Sequence, residues 1–132
     1  MILNIKHKNK ILAKIIKSSY LKKKGINFFT PNNLSQQVAY MNHPTHYKIQ
    51  PHLHKNRLKK IYDTTEVLII LSGKLKINFY NNSQKYLFSK IAQKNDIVIL
   101  LSEGHGFDIL KNCKLIEIKQ GPYNIKIDKF KF

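Results

Sequence analysis

A chain of 132 residues with 24 Lys and Arg against 7 Asp and Glu, a net charge of +17, has the length of one domain with a modest core. It contains no apolar run long enough for a membrane span. Met1–Lys6 reads as lacking an export signal, and a lone Cys113 excludes an intramolecular disulfide and suits a reducing cytoplasm, the expected location. The basic excess raises nucleic acid or an anionic surface as a partner. All but one of the basic residues are lysine, however, the exception being Arg57. They are spread along a chain also rich in Ile and Asn, as an AT-rich genome would produce. The expectation is a solvated basic surface with a bias toward small anionic molecules, and nucleic acid ranks behind it.

In chain order, residues 2–24 allow two readings. Leu12, Ile15, Ile16 and Tyr20 would line one face of a basic amphipathic helix. The β-branched run Lys10–Lys17 favours an edge strand or arm covering the domain. Gly25 marks a turn, Ile26–Phe29 a short strand, and Thr30-Pro31-Asn32-Asn33 a loop. Strands are then expected over Gln37–Asn42, Ile49–His54, Glu66–Leu71, Lys74–Tyr80, Tyr86–Ala92, Ile97–Leu101, His105–Leu110 and Lys114–Gln120. Pro44, Ser72-Gly73, Asn81-Asn82-Ser83, Lys94-Asn95-Asp96, Ser102-Glu103-Gly104 and Lys111-Asn112 supply the turns, and Gly121-Pro122 ends the regular part. Cys113 reads as a small buried hydrophobe, and His43 and His46 as exposed loop residues. Short strands with turns every eight to twelve residues predict a sandwich or barrel.

The chemistry concentrates at Pro51-His52-Leu53-His54. On a strand, side chains alternate, so His52 and His54 would project from one face. Glu66 begins an apolar strand, where a carboxylate is costly to bury unless it is paired or bound to a cation. His105 follows a Gly-containing turn. Two histidines, a carboxylate and a third histidine compose an N/O donor set for a divalent metal. Alternation adds Gln37, Tyr40, Phe107 and Lys119 as pocket candidates, and Arg57 as a fork for a carboxylate or phosphate.

This pattern resembles the cupin superfamily. His52-Leu53-His54, Glu66 and Gly73 match its first motif, with six residues between Glu66 and Gly73. Asn95-Asp96, Ile97–Leu101, Ser102-Glu103-Gly104 and His105 match its second. Three departures stand out: eleven residues separate His54 from Glu66, the second motif has no proline, and Asn95 replaces a glycine. Asn95 can still adopt the left-handed turn. Phe28-Phe29-Thr30-Pro31, Ser35-Gln36-Gln37, Gly104-His105-Gly106-Phe107 and the segment 117–123 are similar to small single-domain bacterial cupins.

The resemblance implies an all-β cupin jelly roll (a double-stranded β-helix barrel) spanning 1–132. Its core would be 36–120, with an N-terminal strand arm over 1–30 and a tail over 121–132. It implies Fe, Mn, Ni or Zn held by His52, His54, Glu66 and His105, an enzyme acting on a small polar, anionic or carbohydrate-like substrate, and a homodimer. Oxidoreductase and isomerase chemistry both stay open. The alternatives are a non-catalytic small-molecule-binding cupin, a metal-free sugar-modifying cupin that uses the same residues as acid–base groups, and a basic nucleic-acid-binding protein.

Overall fold

The structure is a computed structural model and describes residues 1–124 and 126–132. The chain divides into two compact units, one formed by Met1–Tyr20 with Asp63–Phe132 and the other by Leu21–Tyr62.

The larger unit holds a single sheet. Its strands are β1 (Ile2–His7), β2 (Lys10–Ile16), β5 (Glu66–Tyr80), β6 (Tyr86–Gln93), β7 (Ile97–Leu100) and β8 (Gly104–Lys119). The smaller unit holds β3 (Gly25–Phe28) and β4 (Ala39–Asn42), paired antiparallel as a two-stranded sheet. A 3-10 turn at Ser18–Tyr20 is the one helical element among the described residues. Lys10–Ile16 is therefore strand and not helix, but an interior strand in place of the expected edge strand or arm. Leu12, Ala13, Ile15 and Ile16 are all buried, because β2 lies between β1 and β7.

The strand order is β1-β2-β7-β5-β6, with β8 on the other edge of β5. The first half of β5 pairs with β7, the second half with β6, and β8 runs antiparallel along both. The Ser72-Gly73 and Lys111-Asn112 turns expected to reverse the chain are instead bends inside these two long strands. They lie opposite one another, where the β5–β8 register shifts. Gly73 has φ +83, and a Cβ there would collide with the carbonyl oxygens of Lys111 and Asn112, so only glycine fits the bend.

The bend folds the ribbon back on itself. In register, His105 lies opposite Phe79, thirteen residues along β5 from Glu66, a span of roughly 43 Å if straight. Yet His105 and Glu66 touch. Both halves of β5 accordingly feed one core, with Leu68 and Ile70 from the first, Leu75, Ile77 and Phe79 from the second, and Ile5, Leu12, Ile15, Val98 and Leu100 from their neighbours.

The jelly-roll expectation is corrected here. The six-stranded sheet and the two-stranded sheet are both open, and among the described residues no strand pairing closes either into a barrel. The predicted strand Ile49–His54 does not form. That stretch is irregular and exposed, with Leu53 96% accessible. Pro51 removes a ladder donor, and Leu53 has no apolar surface to cover it, so alternation has nothing to act on.

Smaller features agree with the sequence. Asn95 has φ 67 in the turn before β7. The buried Asp96 beside it accepts hydrogen bonds from Lys17 Nζ and from the Ser18 and Gln93 backbone amides, which satisfies its charge. Cys113, expected to be buried, is only half-buried, though it packs against the core.

Candidate functional site

Glu66 opens β5 with its side chain on the same inward face as Leu68 and Ile70, and it is only 5% exposed. A carboxylate so placed needs partners, and the folded ribbon supplies them. His105 Nε2 lies 3.0 Å from Glu66 Oε2, while Lys119 Nζ and Lys129 Nζ lie 3.9 and 4.0 Å from Oε1. The hydrogen bond from His105 holds the Glu66 carboxyl below the usual carboxylate range. Burial pushes the other way, and the positive charges of His105, Lys129 and Lys119 assist the lowering. Glu66 is thus ionised near neutral pH and acts as acceptor. The His105 Nε2 must then carry its hydrogen, which leaves Nδ1 as the nitrogen that can gain or lose a proton.

Two hollows flank this pair. His105 lines a cleft of about 430 Å³ together with Lys10, Asp63, Asn82, Ser102 and Glu103. Glu66 lines a cavity of about 80 Å³ with Lys119, Gln120, Tyr123, Asp128 and Lys129. Thr64 borders both. The Lys119 ammonium bonds Glu117 at 2.9 Å and sits 4.8 Å from the centre of the Tyr123 ring. The Glu117 bond raises the affinity of Lys119 for its proton, so it stays a cation beside Glu66. Gln120 accepts the Thr65 amide hydrogen at 2.8 Å and so fixes the backbone just before Glu66.

A second histidine–carboxylate contact borders the cleft. His7 Nδ1 lies 3.3 Å from Glu103 Oε2, and Glu103 sits at φ 62 in the turn before β8. Ser102 Oγ donates to the Ile11 carbonyl, and the Leu101 amide donates to the Leu12 carbonyl, so this turn is tied to β2.

The sequence-predicted residues divide between the two units. Glu66 and His105 come together, with Lys119 near Glu66 and the Phe107 ring 5.4 Å from that of His105. His52, His54, Gln37, Tyr40 and Arg57 belong to the smaller unit. There His52 Nδ1 contacts the Gln50 carbonyl oxygen, and the His52 and His54 rings meet edge-on. Gln37 donates to the Pro31 and Leu34 carbonyls, Tyr40 donates to the Leu21 carbonyl, and Arg57 is exposed. His46 is exposed as expected, whereas His43 is half-buried and stacks on Tyr47.

The metal-binding reading is corrected. Among the described residues no group of three or more His, Cys, Asp or Glu is placed to hold a metal ion. Glu66 instead has two ammonium groups for neighbours, which oppose a further cation. The divalent-metal cupin is overturned with it, as are the terms metal-binding and β-barrel. Sequence reasoning missed Lys129, Gln120, Ser102, Glu103, His7 and Lys10. Only Ser102 and Glu103 carried a local signal, their place in the turn before His105.

Comparison with protein-family models, curated proteins and solved structures returns no match to this chain, so the cupin resemblance gains no support there. Among the described residues no helix is long and apolar enough to cross a membrane.

Proposed function

We propose that the larger unit binds a small, polar, hydroxyl-bearing molecule in the cleft beside His105, and that His105, oriented by Glu66, exchanges a proton with it. The observation that carries this is the 3.0 Å contact between a buried carboxylate and an imidazole that lines a cleft of ligand size. Asp63 and Glu103 are acceptors suited to hydroxyl groups, Asn82 adds a donor, Ser102 Oγ, its hydrogen given to the Ile11 carbonyl, adds an acceptor, and Lys10 favours a ligand with a negative group. Nδ1 is the nitrogen left to take up a proton, and the imidazolium so formed is held by the Glu66 carboxylate through Nε2.

A homodimer forms part of the same reading. Among the described residues β8 pairs on one side only, with β5, and its other edge is open to a second copy.

The test is a panel of monosaccharides, sugar phosphates and hydroxy acids titrated into labelled protein and followed by NMR. Shifts are expected at Thr64, Ser102 and His105, and a ligand so found should bind His105→Ala roughly fivefold or more weakly, the loss of a hydrogen bond. Shifts that map elsewhere for every ligand, or unchanged binding in His105→Ala, would sink the reading.

A further inference from the structure

The division into units exposes a charge asymmetry hidden in the sequence total. All seven acidic residues lie in the larger unit, while Leu21–Tyr62 holds eight of the 24 basic residues and no acid. In the larger unit the carboxylates of Glu66, Asp96, Glu103, Asp108 and Glu117 sit in ion pairs with Lys or His. The smaller unit has no carboxylate with which to neutralise its cations.

The asymmetry peaks over residues 53–62, which are irregular and exposed throughout. Lys55, Arg57, Lys59 and Lys60 alternate there with apolar side chains that cover nothing, Leu53 being 96% accessible, Leu58 89%, Ile61 53% and Tyr62 85%. A solvated charged loop explains the lysines. It does not explain aliphatic side chains left in water among them. A polyanion in water, such as single-stranded nucleic acid, would use the cations and could stack on Tyr62, but it offers nothing to Leu53, Leu58 or Ile61. The surface of a bilayer takes both, with cations at phosphate headgroups and aliphatic groups at the acyl boundary. Leu58, Ile61 and Tyr62 recur at i, i+3 and i+4, so a helix formed on that surface would present them together.

We propose that residues 53–62 bind the surface of an anionic phospholipid bilayer. The full-length protein should co-sediment with vesicles of phosphatidylcholine containing phosphatidylserine and not with vesicles of phosphatidylcholine alone. Raising the salt should release it, since charges at the surface are screened within about 8 Å at physiological ionic strength. Replacing Lys55, Arg57, Lys59 and Lys60 by Gln should weaken partitioning roughly fivefold per cation removed. Replacing Leu53, Leu58 and Ile61 by Ser, with every charge kept, should also weaken it at least tenfold. Because these side chains are exposed, both variants should keep the wild-type melting temperature, and Leu58→Trp should show blue-shifted emission on anionic vesicles. Equal binding to neutral vesicles, or undiminished binding by the Ser variant, would overturn the proposal. So would tighter binding to single-stranded DNA that ignores the Ser substitutions, which would assign the segment to nucleic acid.

Discussion

Glu66 carries the heaviest electrostatic load of any residue at the site. Its carboxyl is held low chiefly by the His105 hydrogen bond, so its folded-state pKa lies below the unfolded value of 4.5. The stabilisation this gives is fully present above about pH 4.5 and is lost as the pH falls through the depressed folded value. Glu66→Gln keeps the shape and removes the charge. It should lower stability near neutral pH by about 1–2 kcal/mol. Because the variant no longer has this group to titrate, its melting temperature should fall less than that of the wild type between about pH 6 and pH 3. Parallel melting curves across that range would contradict the assignment. Glu66 and His105 were legible as site residues because each sits where its surroundings are wrong for it, an acid opening an apolar strand and a histidine following a glycine turn. Lys129 and His7 were not legible. Each reaches the site from a distant part of the chain, His7 across 96 positions to Glu103, and no local pattern encodes such a meeting.

At the scale of elements, the long ribbon β5–β8 places the site. Strand content was readable from alternation and β-branched residues, and the limits of β6 and β7 fall within a residue of those expected. What the pattern did not reveal was that Ser72-Gly73 and Lys111-Asn112 bend strands without ending them. A glycine at positive φ is equally at home in a hairpin turn and in a bulge, and only the partner strand decides between them. Ile49–His54 failed for the opposite reason, since two histidines at strand spacing align only if the backbone has a neighbour to pair with. The bend at Gly73 brings Glu66 to His105, so it should be the least tolerant position of the ribbon. Gly73→Ala should cost about 2–4 kcal/mol through positive-φ strain and collision with backbone carbonyls. In denaturant titrations, a loss below about 0.5 kcal/mol, the range of an ordinary surface change, would show that the ribbon does not depend on this bend.

For the whole molecule, the charge of +17 resolves into two situations. The larger unit sets five of its seven carboxylates in ion pairs with lysines and histidines, while the smaller unit keeps its cations unopposed by any acid of its own. Composition suggested a uniformly basic surface, because a total cannot show which residues fold together. The same limit explains why a motif-level likeness pointed to a closed metal-holding barrel. Spacing along the chain does not reveal that His52 and His54 fall in one unit and Glu66 and His105 in the other. What remains is a folded β ribbon carrying a histidine–carboxylate pair at the wall of a polar cleft. The most direct test is a crystal structure with the tightest-binding member of the hydroxyl-bearing panel. The expected result is a ligand oxygen within hydrogen-bonding distance of His105 Nδ1, other polar groups on Ser102 or Glu103, and the Glu66–His105 bond intact. A ligand seated away from this cleft, or a His105 ring turned from Glu66 in its presence, would contradict the proposed site.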